Sequence, residues 1–139
     1  MRFLLDTVTV SELRRSADQM NPQVWKWQKK IREAFLSVVT LNEIRYGIRM
    51  VETRDALFAT QLSAWYGQIV VQPRKFRILN VDRTIAELAA DFRAAHGTPF
   101  EDSLIAATAK VHGLTLATRN TADYKATGIQ LVNPWEHGA

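Results

Sequence analysis

The chain of 139 residues contains no cysteine. This excludes disulfide bonds, thiolate zinc sites and cysteine nucleophiles, and it fits a reducing compartment such as the cytoplasm. Glycine and proline are also sparse, with six and four residues, and no repeat, low-complexity tract or flexible linker is present. The length suits one ordinary domain with a real hydrophobic core, and we expect a single domain over residues 1–139.

Long hydrophobic runs are absent as well. No apolar stretch is long enough to cross a bilayer. The first carboxylate, Asp6, follows the initiating methionine too closely for a signal peptide. We therefore expect a cytoplasmic protein with no membrane segment.

The charge balance is basic. Lys and Arg number 18 against 14 Asp and Glu, which gives a formal net charge of +4 and a pI of about 9.7. Such a surface favours polyanions or an acidic partner. The signal becomes informative only if the acidic residues prove to be gathered in one place.

Short β-type runs alternate with longer helical runs, which predicts an α/β domain with a mainly parallel sheet. We expect strands at residues 3–5, 36–39, 78–81, 114–117 and 129–132. Helices are expected at residues 10–16, from 22 onward, at 41–50 and 55–65, and in the two stretches that end at residues 96 and 112. A short helix or turn is expected at residues 120–123.

Capping residues place the helix ends. Thr40 to Glu43 has the spacing of a capping box, and Thr98 to Glu101 has the same spacing. We assign Glu101 to this structural role alone. Gly97 and Gly113 are the expected C-caps of the helices that they follow.

Four carboxylates are candidates for a shared site, because parallel sheets carry their sites beyond the carboxyl ends of the strands. Asp6 ends the first strand, Glu43 lies in the first turn after the second, and Asp123 lies just beyond the 114–117 strand. Asp102 lies in the first turn of the helix that precedes that strand. It reaches the same edge only if the start of the helix lies there, which periodicity alone leaves open.

The surroundings of Asp102 favour a site with a ligand. Ile105, Ala106 and Ala109 share its helical face, and a carboxylate at the head of an apolar stripe is costly unless something compensates it. Several carboxylates without histidine or cysteine suit a hard divalent cation, Mg²⁺ or Mn²⁺.

Each carboxylate also has a structural interpretation. Glu43 would complete a capping box with Thr40. Asp102 would interact with the helix dipole, and Asp123 would be a turn residue. Asp82 is interpreted as a helix cap and Glu12 as a solvated helix residue. Asp6 is harder to explain in this way, because a buried strand rarely ends in a carboxylate without a purpose.

Four motifs in order resemble those of PIN-domain toxins of the VapC and FitB type. They are MRFLLDTVTVSELRR at residues 1–15, SVVTLNEIRYGI at 37–48, TPFEDSLIAATAKVHGLTLATRNTADY at 98–124 and GIQLVNPW at 128–135. The resemblance covers essentially the whole chain. It implies a three-layer α/β/α sandwich, and it settles the placement of Asp102.

The resemblance also implies site residues. It assigns the catalytic acids to Asp6, Glu43, Asp102 and Asp123. Asp6, Asp102 and Asp123 would bind metal directly, whereas Glu43 would bind it or orient a metal-bound water. Supporting polar groups are expected from Thr7, Thr118 and Asn120. Phosphate contacts are expected from arginines near these motifs, namely Arg14, Arg15, Arg45, Arg49 and Arg119.

The implied activity is that of an Mg²⁺- or Mn²⁺-dependent endoribonuclease that serves as the toxin of a type II toxin–antitoxin system. The resemblance implies a VapB- or FitA-like antitoxin that inserts a segment into the acidic pocket, an RNA substrate, and a homodimer or a higher toxin–antitoxin assembly.

One departure from the family pattern supports a rival interpretation. Family members carry asparagine two residues after the first aspartate, where this chain has Val8. The rival is a catalytically weakened subunit that acts with an antitoxin in DNA binding and autoregulation.

Two other enzyme classes lack their motifs in this chain. A phosphotransferase requires an Asp-x-Asp motif, and a dinucleotide-binding enzyme requires a Gly-x-Gly-x-x-Gly motif after the first strand. The chain has neither motif.

Overall fold

The computed structural model describes residues 1–71 and 75–138. Its centre is a sheet whose strands are β1 (Arg2–Leu5), β2 (Glu33–Ser37), β3 (Phe76–Leu79), β4 (Thr115–Ala117) and β5 (Leu131–Val132). The strand order is β3-β2-β1-β4-β5, and each of these neighbouring pairs is parallel. The predicted parallel α/β architecture is confirmed. Because β1 is the central strand, the residue that follows it lies mid-way along the carboxyl edge.

The helices are α1 (Thr7–Glu12), α2 (Pro22–Gln28), α3 (Val38–Glu52), α4 (Ala56–Val71), α5 (Arg83–His96) and α6 (Phe100–His112). Short 3₁₀ turns follow at Thr121–Asp123, Lys125–Thr127 and Pro134–Glu136. Within residues 1–71 and 75–138, no helix combines the length and apolarity that a membrane crossing requires.

Helices cover both faces of the sheet, because successive side chains of a strand point to opposite faces. Leu4 of β1 belongs to a core cluster that includes residues of α5 and α6. Phe3 and Leu5 of the same strand belong to a second cluster, which includes residues of α1, α2, α3 and α4. These three layers match the predicted sandwich.

The direction of α6 brings its first turn to the carboxyl edge. Only Gly113 and Leu114 separate α6 from β4, and Gly113 adopts the left-handed conformation (φ 64°) that a sharp reversal requires. The 13 residues of α6 span about 20 Å, so its start lies well away from the amino end of β4. This direction resolves the placement of Asp102 that periodicity left open.

The predicted boundary between β2 and α3 is wrong. The strand ends at Ser37, and Val38 and Val39 already belong to the helix. The Ser37 hydroxyl accepts the Val39 N–H at 3.0 Å and caps the helix. Thr40 is therefore a fully buried residue of the first turn, and it does not form a capping box with Glu43.

Two other helix starts also differ from the predictions. Helix α1 begins at Thr7, not at residue 10, because Asp6 acts as its N-cap. Thr98 does not cap α6. Its hydroxyl donates to the Phe92 carbonyl at 3.4 Å, and Pro99 occupies the N-cap position without a side-chain bond. Apolar periodicity located these helices but not their starts, which depend on local hydrogen bonds.

The remaining capping predictions are confirmed. Asp82 accepts from the Ile85 N–H at 2.9 Å. Helix α2 is capped by Asn21, which accepts from the N–H groups of Gln23 and Val24. Gly97 ends α5 with a left-handed φ of 67°. Helix α4 runs beyond the predicted residue 65 to Val71, and β5 is shorter than predicted.

Candidate active site

A cavity of about 160 Å³ opens at the carboxyl edge of the sheet. Its lining comes from the junction of β1 and α1, from α3 and α6, and from the turn that follows β4. The lining residues are Asp6, Thr7, Val8, Glu43, Asp102, Ile105, Asn120, Asp123 and Tyr124. The four candidate carboxylates, which are far apart in sequence, thus line one cavity.

Asp6 follows β1 and is bonded to the end of β4. It is 8% exposed; its Oδ1 accepts the Thr9 N–H at 2.9 Å, and its own N–H donates to the Ala117 carbonyl at 3.2 Å. The Thr9 hydroxyl donates to the same carbonyl at 2.9 Å. These bonds use only one of the two carboxylate oxygens, and they fix Asp6 at the end of β1.

Glu43 lies on the second turn of α3 and is half-buried. Burial raises its pKa; the nearby Thr7 hydroxyl acts in the opposite sense, and the charges of Glu101, Asp102 and Asp6 add to the rise. Within the described residues, the buried Thr7 hydroxyl has no partner at hydrogen-bonding geometry. The cavity therefore offers a buried hydroxyl beside a carboxylate that is costly to ionise.

Asp102 lies in the first turn of α6 and accepts a hydrogen bond from the Tyr124 hydroxyl at 3.2 Å. Burial raises the pKa of Asp102, the Tyr124 bond lowers it, and the charges of Asp123, Asp6 and Glu101 raise it further. Tyr124 is only 4% exposed, and burial beside Asp102 raises its own pKa. Tyr124 therefore remains a neutral donor at physiological pH.

The turn after β4 contributes Asn120 and Asp123, which are both exposed at the cavity. Thr118 does not line the cavity. It is fully buried, and its hydroxyl accepts the Asn120 N–H at 3.0 Å. Its effect on the cavity is thus indirect, because it shapes the turn that carries Asn120.

The cavity is lined by four acids, and no ion pair among residues 1–71 and 75–138 neutralises them. In residues 1–71 and 75–138, the ion pairs join Arg2, Arg15, Arg49 and Arg83 to glutamates outside the cavity. The same residues contain no three Asp, Glu or His side chains that are close enough to hold a metal ion as they stand. The four acids thus share a cavity but are not drawn together around one point.

The candidate arginines differ in their surroundings. Arg15 pairs with Glu12 at 3.4 Å and Arg49 with Glu52 at 3.2 Å. Arg14 and Arg119 stack on the rings of Phe58 and Trp135, and Arg45 is exposed. The prediction that Glu12 is solvated is wrong, because its side chain is only 14% exposed. Arg14 also lines a groove that contains Thr7 and Glu43.

Sequence reasoning missed Tyr124 as a site residue. Its position directly after Asp123 was the available signal. Its partner, Asp102, lies 22 residues earlier in the chain, so helical or strand periodicity does not connect the two.

Comparison with known proteins identifies the family of the chain. The sequence matches the family profile described as PIN domain over residues 3–128. It is 31% identical to VapC ribonuclease Y4jK of Sinorhizobium fredii, with 96% of this chain and 98% of that protein covered. It is also 31% identical to toxin FitB of Neisseria gonorrhoeae, with the same coverage. The solved structure of FitAB bound to a DNA fragment superposes with a TM-score of 0.79 at 31% identity, covering 99% of both chains. This chain belongs to the PIN-domain family.

Proposed function

We propose that this protein is a metal-dependent endoribonuclease and the toxin of a type II toxin–antitoxin pair. The observation that carries the proposal is one cavity lined by Asp6, Glu43, Asp102 and Asp123, with no ion pair to any of them among the described residues. The names of two relatives, a ribonuclease and a toxin, give the reaction class and the biological role.

The donor set fits Mg²⁺ or Mn²⁺, which prefer carboxylate oxygens and water. Two observations support a cation. Burial raises the pKa values of Glu43 and Asp102, and the Thr7 hydroxyl is buried without a partner. Asp6, Asp102 and Asp123 would bind the ion, with Glu43 as a further ligand or as the group that orients water. Bound there, the ion would neutralise the phosphodiester and lower the pKa of a water molecule.

The residues of the chain have distinct parts in this proposal. Asp6 is fixed by its bonds to Thr9 and Ala117, so it supplies a rigid ligand position. Asp102 is oriented by Tyr124. Glu43, whose pKa is raised by burial, would be the carboxylate that accepts a proton from the attacking water.

A groove beside the cavity supports an antitoxin partner. It has a volume of about 280 Å³, runs between α1, α3 and α4, and shares Thr7 and Glu43 with the acidic cavity. Its apolar lining includes Ile44, Ile48 and Trp65. An amphipathic segment of a VapB- or FitA-like antitoxin would pack there and place a basic side chain among the acids. We extend the proposal to a homodimer, on the family resemblance alone.

Val8 favours a second candidate function. Its side chain is 45% exposed and lines the cavity, where the family pattern has asparagine. A weakened toxin that serves as a binding subunit, with an antitoxin in DNA binding and autoregulation, would tolerate this change. The solved relative bound to DNA is consistent with such a role.

Cleavage of RNA by the purified protein distinguishes the two functions. Labelled RNA is incubated with Mn²⁺ or Mg²⁺ and with the Asp102→Asn variant, and the matched control is Asp91→Asn on the exposed surface of α5. We expect products that carry a 5′-phosphate, loss of cleavage in Asp102→Asn and full cleavage in Asp91→Asn. Equal cleavage by all three proteins would defeat the nuclease assignment, and absence of cleavage together with promoter binding by the antitoxin complex would favour the second function.

A further inference from the structure

One short segment carries the whole excess positive charge of the chain. Residues 21–32 contain no acidic residue and four basic ones, Lys26, Lys29, Lys30 and Arg32. The chain has 18 Lys and Arg residues and 14 Asp and Glu residues. The 14 basic residues that remain outside the segment are therefore balanced by the acidic ones. A charge that is concentrated in this way indicates a polyanion contact more strongly than a uniformly basic surface does.

Three of these residues, Lys26 in α2 and Lys29 and Lys30 in the turn that ends it, lie close together. Lys26, Lys29 and Lys30 have the spacing of neighbours on a helix and its final turn, and all three are exposed. The opposite side is anchored, since Val24 and Trp27 are buried and the Trp27 ring packs edge-on against Phe3 with 5.2 Å between centroids. The lysines thus stand on a rigid element.

The three lysines line a groove of about 370 Å³, which we call the lysine groove. Its lining residues are Gln23, Lys26, Lys29, Lys30, His137 and Gly138. The C-terminal turn Pro134–Glu136 packs against α2 and carries the second wall. Glu136 itself does not line the groove. Because the lining contains no hydrophobic side chain, the groove suits a polyanion better than an apolar peptide.

The lysines are not neutralised within the described part of the chain. None of the ion pairs there involves Lys26, Lys29 or Lys30. The Lys29 Nζ lies 5.3 Å from the centre of the Trp25 ring, a cation–π contact that holds the ammonium group in place. Lysine ammonium groups are hydrated point charges that bind phosphates without base specificity.

We propose that the lysine groove binds the phosphate backbone of single-stranded RNA at a site separate from the acidic cavity. This inference rests on the proposed ribonuclease function. The two sites have no lining residue in common. A neighbouring hollow of about 320 Å³ shares Lys30 and His137 and is otherwise lined mostly by apolar residues, which suits an unpaired base better than a closed duplex. A long RNA would therefore gain affinity from the groove, whereas a tetranucleotide bound in the acidic cavity should gain little.

The test replaces the three lysines together by glutamine, as Lys26→Gln, Lys29→Gln and Lys30→Gln. The matched control is Arg54→Gln, Arg77→Gln and Lys110→Gln, which removes the same charge from exposed residues elsewhere. Both sets are placed in an Asp6→Asn background, which keeps a good N-cap, and thermal unfolding confirms that each variant is folded. Fluorescence anisotropy then measures binding of a long unstructured RNA over a series of salt concentrations in EDTA.

We expect the groove variant to lose about tenfold or more in affinity for RNA. The slope of log K against log salt concentration should become shallower by about two, because three phosphate contacts are lost. The control should keep the steeper slope. In protein that retains Asp6, the groove substitutions should leave cleavage of a tetranucleotide unaffected.

Equal affinity and slope in the groove variant and the control would overturn the lysine groove as an RNA site. So would a groove variant that keeps RNA binding but loses the antitoxin, since the occupant would then be a protein. If wild-type protein cleaves no RNA but the lysine-dependent binding is found, the proposed nuclease function fails while the groove stands.

Discussion

The Tyr124 hydroxyl donates a hydrogen bond to the Asp102 carboxylate at 3.2 Å, and this bond joins the turn after β4 to the first turn of α6. Asp102 has one oxygen in a defined position as a result. The bond also favours the ionised form of Asp102, against the effect of burial, which raises its pKa. Tyr124 is therefore a positioning residue for a proposed metal ligand.

Tyr124→Phe should weaken metal binding without unfolding the protein. The ring that fills the core is kept, and only the donor to Asp102 is lost. Substitution of a hydrogen-bond partner of a metal ligand typically costs about 10–100-fold in metal affinity or activity. Calorimetric titration with Mn²⁺ measures the loss directly, and Tyr46→Phe, which removes a hydroxyl from a 66% exposed residue, is the control. Equal Mn²⁺ affinity in both variants would contradict a positioning role.

Metal affinity should fall as the pH is lowered through a range above the ordinary carboxyl values. The pKa values of Glu43 and Asp102 are raised above 4.5 and 3.8, mainly by burial. Protonated carboxyls do not bind cations, so protons and metal compete for the same oxygens. Mn²⁺ titrations between neutral and mildly acidic pH test this. An affinity that stays constant until the pH reaches 3.8–4.5 would contradict a metal site that contains two carboxyls with raised pKa values.

Asp102→Asn should stabilise the metal-free protein at neutral pH. A carboxyl whose pKa is raised on folding stabilises the fold when protonated, and this contribution is lost as the pH rises through the raised pKa. The amide removes that cost and still accepts from Tyr124. We expect a higher thermal midpoint at neutral pH and little change at a pH below 3.8; each kcal/mol gained would raise the midpoint by roughly 2–8 °C. Asp91→Asn is the matched control. A midpoint that falls at neutral pH would mean that Asp102 is a structural carboxylate.

Val8→Asn should strengthen metal binding and RNA cleavage at the acidic cavity. The side chain lines the cavity and is 45% exposed, so an amide there would add a donor and an acceptor without disturbing the core. Surface substitutions of this kind change stability by less than about 0.5 kcal/mol. We expect tighter Mn²⁺ binding and faster RNA cleavage than in the wild type, whereas Val8→Leu should change neither. If Val8→Asn leaves both unchanged, the departure from the family pattern has no bearing on the activity.

The sequence predicted which acids line one cavity better than it predicted where the helices and strands start. Asp6 could be assigned because it interrupts an apolar strand, and the strand order then placed it at the centre of the edge. The placement of Asp102 depends on the direction of α6, which follows from the short link between α6 and β4. Only the family resemblance or the structure gave that direction.

The failures have two separate physical causes. Val38 and Val39 have high β-propensity, but the Ser37 hydroxyl caps a helix that already includes them. A single local hydrogen bond thus outweighed propensity. Tyr124 was missed for a different reason. Its role depends on packing between α6 and a distant turn, which no local pattern contains.

Thr9→Val should destabilise the fold, because the Thr9 hydroxyl joins α1 to β4. It donates to the Ala117 carbonyl at 2.9 Å and is fully buried. Valine keeps the shape but removes this bond, and the Ala117 carbonyl retains only the Asp6 N–H. We expect a loss of about 1 kcal/mol in the free energy of unfolding, measured by urea denaturation. Thr108→Val is the control, since that fully buried hydroxyl donates only to the Leu104 carbonyl of its own helix, and such bonds contribute little to helix stability. Equal stability of the two variants would show that the bond to Ala117 does not hold Asp6 and the end of β4 together.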